Sequence, residues 1–288
     1  MKTKSFYTHN TALFALYILG TGVFLLPTAA SGKYTLLAFL IVSLLSVLTF
    51  LILSFLTEKI FFSKIKWIKI LYFLRCSYLS FSILSYTAFD FLRLVKSVIL
   101  PNLALFVSAI LLFILALYFF KKREEDILKF FLLCFVVSLG IILFFAIALS
   151  FHFDFKNLYI DSFPNFKELY SEVLPFLSKI TLPLLLLPLY NLFVFKEKRT
   201  KAGFFGVLIG VLLLGICICL PVLVFGIKLS SEYSYPLSKT VSILSIGRLF
   251  TRTDGIFYLL CFITSLSKIS VSAFVLKQSL KKLDELLN

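Results

Sequence analysis

Charge is what this sequence has least of. Only 15% of its 288 residues are charged, and Asp and Glu number 14 against 29 Lys and Arg. A soluble domain carries about a quarter charged residues. Here 60% are hydrophobic, and apolar runs of about 20 residues, enough to cross a bilayer, recur from end to end. The composition therefore excludes a soluble globular domain and implies an all-α polytopic membrane protein.

Histidine is nearly missing: His9 and His152 are isolated near the ends of apolar runs, without companions for a metal or a catalytic triad. The five cysteines (Cys76, Cys134, Cys217, Cys219 and Cys261) fall inside apolar segments. They are too dispersed for a zinc site and read as small buried residues rather than disulfides. There is no G-x-S-x-G, H-E-x-x-H or P-loop. Nothing argues for an enzyme, and no cofactor or metal is implied. The net charge of +15 could suggest nucleic acid, but the basic residues lie in short clusters between apolar runs, as loop topology demands. The opening "MKTKSFYTHN" is similar to the charged start of a signal peptide, but the apolar run after it is long and lacks a cleavage site. It is expected to be retained.

Eight spans are expected, at about 11–30, 35–56, 70–96, 102–120, 127–150, 173–194, 202–228 and 254–276. With the N-terminus cytoplasmic, 17 basic residues face inwards: Lys2, Lys4, Lys59, Lys64, Lys66, Lys69, those of "KKREEDILK" and "KEKRTK", and three in the C-terminal tail. Nine face outwards: Lys33, Arg93, Lys96, Lys156, Lys167, Lys228, Lys239, Arg248 and Arg252. That excess on one side matches the positive-inside rule and places both termini inside. Arg75, Lys179 and Lys268 remain within spans.

Two spans contain their own interruption. Span 1 reads "LGTGVFLLPTAA", with Gly20, Thr21 and Gly22 followed by Pro27. Span 6 reads "PFLSKITLPLLLLPLYN", with Thr181-Leu182-Pro183 followed by Pro188. Non-helical backbone survives in a membrane only where protein or a cavity satisfies it. Interruptions at matching positions of two halves point to an inverted-repeat transporter architecture with a site at the breaks. Glycines 20 and 22 permit close approach, and the half-helix after them would offer its positive end to a carboxylate. Packing of small residues is the competing reading.

Charges in spans 3, 6 and 8 also bear on the interior, since intramembrane charge is costly. In span 3, Arg75, Ser82, Tyr86 and Arg93 share one helical face with Asp90 beside it. They are expected to look into the bundle or a wet cavity. An outer-end Asp90–Arg93 pair with Arg75 reaching inwards is the alternative. Lys268, in "SLSKISVSAF", lies mid-span and needs a counter-charge or freed carbonyls. It could replace a coupling cation, carry a transported proton, or act as a structural strut. Lys179 could attract a ligand carboxylate, pair with Asp90, or face outwards.

"ALYILGTGVFLLPTAA" resembles the first helix of the amino acid–polyamine–organocation superfamily. Residues 235–274, "YPLSKTVSILSIGRLFTRTDGIFYLLCFITSLSKISVSAF", resemble the spore germination receptor B-subunit family. The resemblance is carried by Tyr235-Pro236, Ile246-Gly247, Arg252 with Asp254, and Lys268-Ile269-Ser270. "FDFLRLVKSVILP", with Asp90-Phe91, is similar to that family's third helix.

The resemblance implies a LeuT-like inverted repeat forming a single transmembrane domain over 1–288. Its first repeat spans about 11–150, its second about 173–276, with an outer amphipathic segment at about 236–252. It also implies an amino-acid-like ligand at broken helices 1 and 6, partner receptor subunits, a bilayer location and, in a spore former, the spore inner membrane. The family has ten spans, so the chain is expected to be a short member lacking the last two helices. Lys179 stands where small residues and often an acid are expected. The leading expectation is a ligand-binding receptor subunit. A proton-coupled amino acid transporter and a structural subunit without ligand are the alternatives. Nucleic acid is not an expected partner.

Overall fold

The computed structural model describes residues 2–22, 34–96, 110, 114, 117, 118, 124–158, 164–195, 200–233, 235–244 and 253–288. It does not describe the side chains of 2–7, 21, 22, 124, 125, 178, 179, 182, 195, 200, 228, 231 and 254. All regular structure among the described residues is helical. The long helices are α1 (Lys2–Gly22), α2 (Thr35–Phe61), α3 (Lys66–Leu94) and α4 (Glu124–Leu149). After two short 3-10 turns, Ser150–His152 and Phe155–Leu158, come α5 (Phe166–Leu184), α6 (Leu186–Phe195), α7 (Thr200–Glu232), α8 (Pro236–Ser242) and α9 (Asp254–Leu287).

Among the described residues, five helical stretches are long and apolar enough to cross a membrane: Thr35–Phe61, Lys66–Leu94, Asp126–His152, Lys201–Ile227 and Gly255–Leu287. They coincide with expected spans 2, 3, 5, 7 and 8. The first part of expected span 1 lies in α1 and its residues 23–30 lie outside the described residues; span 6 is divided between α5 and α6. Most of span 4, at 102–120, lies outside the described residues. The chain is an all-α, multi-pass membrane protein. Within it, several hydroxyls in apolar helices are satisfied by their own turns, as where Ser54 Oγ donates to Phe50 O (2.8 Å). Such back-bonding lets serine sit in a membrane helix without an external partner.

The centre of the bundle is α1. Its residues from Ala12 to Leu19 are buried on every side, packed by α7, α9, α4 and α5. Close approach of α7 depends on Gly203, Gly206 and Gly210, spaced three and four apart on one face. A Cβ at Gly206 would lie 2.6 Å from Phe14 Cβ and 2.8 Å from the Thr11 carbonyl oxygen. At Gly210 it would lie 2.7 Å from Ile18 Cβ. Around this axis α3 lies along α9, with the Phe91 and Phe262 rings 5.8 Å apart. Similarly, α2 lies along α5, with Phe39 and Phe176 rings 6.2 Å apart.

Two polar clips hold the helix ends. At Gly226, φ of 76° breaks α7, a conformation that glycine adopts without strain. The freed Leu223 carbonyl accepts the Asp154 N–H (3.0 Å) and Asn157 Nδ2–H (3.1 Å). At the start of α2, the Tyr34 N–H donates to Glu172 Oε1 on α5 (3.2 Å), placing a carboxylate at a helix N-terminus. Burial pushes the Glu172 carboxyl above its ordinary value, against the bonds from Tyr34 and Thr35; nearby Glu168 pushes the same way as burial. The folded chain thus holds this proton more tightly than the unfolded one. Its stabilising contribution is complete below the ordinary value of 4.5 and is lost as pH rises through the shifted value. Glu172→Gln is expected to flatten the fall in melting temperature across that window in detergent. An unchanged slope would assign it to another group.

Tyr235 precedes α8, and Pro236 lies in its first turn. Leu237 and Val241 are buried while Lys239 is exposed. The Thr253 hydroxyl donates to Val241 O (2.7 Å), tying α8 to the start of α9. Residues 245–252, with Ile246-Gly247 and Arg252, lie outside the described residues.

Candidate functional site

Proline shapes the junction between α5 and α6. Pro183 has no N–H for the carbonyl of residue 179, and Pro188 has none for that of Leu184. The helix continues through Pro183 to Leu184, interrupts at Leu185 and restarts at Leu186. The break is therefore four residues past Thr181, because proline removes one hydrogen bond without immediately ending the turn it sits in. Pro188 occupies the first turn of α6, where its missing donor costs nothing. The Pro183 carbonyl, two residues before the break, accepts the Tyr17 hydroxyl from α1 (3.1 Å).

The third wall is α9. Thr264, Lys268 and Ser272 are four residues apart, on one helical face. A Cβ at Gly20 would lie 2.5 Å from the Thr264 carbonyl oxygen, so α1 touches α9 there. One turn on either side completes the register, with Ser272 lying against the Tyr17 phenol. Lys268 sits between these two contacts, 7% exposed, on the face turned to α1. Near it, the hydroxyl of Ser265 is buried without a hydrogen-bond partner among the described residues, as is that of Thr181 on α5. Towards the start of α1 the bundle is sealed: Asn10 Nδ2 donates to Asn191 Oδ1 on α6 (3.0 Å), both buried. Thr11 Oγ1 donates to Ala202 O (3.3 Å).

The residues expected at the site divide into three groups. Gly20, Thr181 and Lys268 lie on the helices that form the junction. For Gly20 the role observed is close packing: α1 is helical through Thr21 and Gly22, so no interruption occurs at Gly20 itself. Residues 23–33 with Pro27, and the side chains of Thr21 and Lys179, lie outside the described residues. The span 3 face turns outwards, contrary to expectation. Tyr86 is 63% exposed, Arg75 and Arg93 are exposed, and Ser82 is half-buried with its Oγ donating to Tyr78 O (2.9 Å). Arg93 lies over the Phe89 ring at 5.1 Å, and Asp90 is half-buried. The buried face of α3 carries Phe73, Cys76, Ser80, Ile83, Thr87 and Leu94. Ser80 and Thr87 bond their own preceding turns at 2.7 Å, so they enter the apolar interior at little cost.

The spore germination protein family model matches residues 7–285. The chain belongs to this family. The match covers almost all of the chain and bears out the resemblance drawn from 235–274. No curated protein matches the chain.

In this spore germination protein, sequence reasoning missed Tyr17, Ser272 and the Asn10–Asn191 pair. A signal was present for the first two, since Tyr17 is one turn before Gly20 and Ser272 one turn after Lys268. Tyr17→Phe is expected to remove the hydrogen bond to the buried Pro183 carbonyl, costing about 0.5–1.5 kcal/mol. Thermal unfolding in detergent would register this as a clear fall in melting temperature. No fall would show that the Tyr17–Pro183 bond does not hold the break.

Proposed function

We propose that the chain is a membrane subunit of a spore germinant receptor and binds an amino acid or similar small germinant where α1, the α5–α6 break and α9 meet. The observation that carries this reading is the break itself. A germination-family membrane protein holds interrupted backbone, a buried lysine and unpartnered hydroxyls at one junction.

The chemistry suits a zwitterion. Carbonyls of residue 179 and Leu184 lose their helical donors to proline and favour an ammonium group. Lys268 and the positive N-terminal end of α6 favour a carboxylate. Thr181 adds a hydroxyl. Lys179, Gly20, Thr21 and Gly22 remain proposed contributors; Ser82 and Tyr86, on the outward face of α3, are not among them. In this reading the two broken helices belong to a LeuT-like inverted repeat, and both termini are cytoplasmic in the spore inner membrane. Occupancy shifts the balance between arrangements of the broken helices according to its differential affinity for them, and partner subunits read the shift.

Equilibrium binding of a panel of labelled L-amino acids to the purified chain tests the reading, alongside uptake into proteoliposomes with and without a pH gradient. Saturable binding without flux is expected. Concentrative, pH-driven uptake would assign the chain to proton-coupled transport, and binding of no panel member would leave a subunit with a structural role.

A further inference from the structure

Four aromatic side chains, on the connection between α4 and α5 and on the first turns of α5, are largely exposed. Phe151 is 89% exposed, Phe155 71%, Phe166 85% and Tyr170 56%. Their backbone is not loosely held. Phe151 belongs to a 3-10 turn directly following α4. Asp154 and Asn157 clip the adjoining segment to the Leu223 carbonyl of α7. Phe153 packs against the core and holds the Phe155 ring edge-to-face at 6.4 Å, while Phe151 and Phe155 remain exposed. Phe166 and Tyr170 lie one turn apart on α5 and stack, with ring centroids 6.4 Å apart.

The occupant of this surface follows from continuity. The exposed apolar side chains of α4 form a stripe, Leu133, Val136, Leu143 and Ile147, whose spacings of three, seven and four keep one helical face and lead to Phe151 four residues on. On α5 the sequence Phe166, Tyr170 and Leu174, all exposed, makes a matching stripe at four-residue spacing. Both stripes lead from the lipid-facing surface of a membrane-spanning element to its end, where bilayer hydrocarbon gives way to headgroups. Aromatic rings gather at that depth. Lys156 and Lys167 are exposed beside them, with stems long enough to carry their ammonium groups to lipid phosphates.

We infer that Phe151, Phe155, Phe166 and Tyr170 form a bilayer-interface anchor that holds α5 at a fixed depth in the lipid headgroup boundary. The described parts of this connection, 150–158 and 164–165, therefore run within the interface rather than in solvent. Because α5 ends at the break, the anchor fixes the outer end of the helix whose inner end borders the junction.

The chain has one tryptophan, Trp67, so single-tryptophan reporters are practical. In a Trp67→Phe background, Phe151→Trp, Phe155→Trp and Phe166→Trp would be placed one at a time in the full chain. Each would be reconstituted into phosphatidylglycerol–phosphatidylethanolamine vesicles containing acyl-brominated lipid. Leu143→Trp, about 12 Å further along the same helical stripe, serves as a deeper reference. Monodisperse elution of each variant confirms folding. The three reporters are expected to emit to the blue of free tryptophan, resist aqueous acrylamide, and lose most intensity to bromines near the carbonyl end of the chain. The Leu143→Trp reporter should respond to deeper bromines. Water-like emission with strong acrylamide quenching would overturn the inference in favour of a solvent loop. Blue-shifted emission untouched by brominated lipid would overturn it in favour of a protein contact.

Discussion

Valine at Gly206 is expected to prevent recovery of a folded, monodisperse protein. The side chain would begin 2.6 Å from Phe14 Cβ and 2.8 Å from the Thr11 carbonyl oxygen, both well inside van der Waals contact. Neither can yield easily, because Thr11 O is backbone and Phe14 is buried between the Phe50 and Tyr190 rings, at centroid distances of 6.3 and 5.9 Å. The helices must therefore separate along the α1–α7 contact. Overpacking typically costs about 1–3 kcal/mol where side chains can adjust, and a backbone clash at the central helix should exceed that. Gly140→Val is the control, since a Cβ there meets nothing within 4 Å. Fluorescence-detected size exclusion should show the first variant lost and the second unchanged. Equal recovery of both would contradict the close-packed α1–α7 contact.

Lys268→Met is expected to separate folding from function. Methionine approximates the length of the lysine stem and removes the charge, so a buried position that must carry an ammonium group becomes an apolar one. Intramembrane charge is costly, and the variant should melt no lower than the parent. If Lys268 receives the ligand carboxylate, its loss removes a charge-assisted hydrogen bond of about 1.5–3 kcal/mol, or roughly 10- to 150-fold in affinity. Titration of the amino acid bound by the parent would measure this. A lower melting temperature with unchanged affinity would make Lys268 a strut between α9 and α1.

The interrupted helix was legible because Pro183 and Pro188 each remove a specific hydrogen bond, a local fact independent of the rest of the fold. Its location at Leu185 was not, since one missing donor weakens a helix without choosing the residue at which it turns. Burial of Lys268 was legible from the cost of mid-membrane charge together with its serine neighbours. The outward turn of Tyr86 and Arg75 was not, because the spacing of seven, four and seven shows that residues share a face but not where that face points. Long charged side chains near helix ends can reach the interface, while Ser80 and Thr87 satisfy themselves and go inwards. Tyr17 escaped notice for a related reason. A tyrosine in an apolar run is indistinguishable from a core aromatic until the carbonyl it reaches, 166 residues away, is known. The glycines at 203, 206 and 210 likewise display one face in sequence, but only the fold shows α1 against it.

The central claim, an amino-acid site at the α5–α6 break, is tested most directly by a cysteine at position 181. The native cysteines are free, with Cys76, Cys134, Cys217 and Cys261 buried, and a Thr181→Cys thiol would replace a buried hydroxyl that lacks a partner among the described residues. Its rate of alkylation by a small maleimide, measured above the background of the parent chain, would be compared with and without each member of an L-amino acid panel. The account predicts that at least one amino acid slows labelling in a saturable manner, and that adding Lys268→Met abolishes the protection. Labelling at one rate throughout the panel, in protein that remains folded, would contradict it.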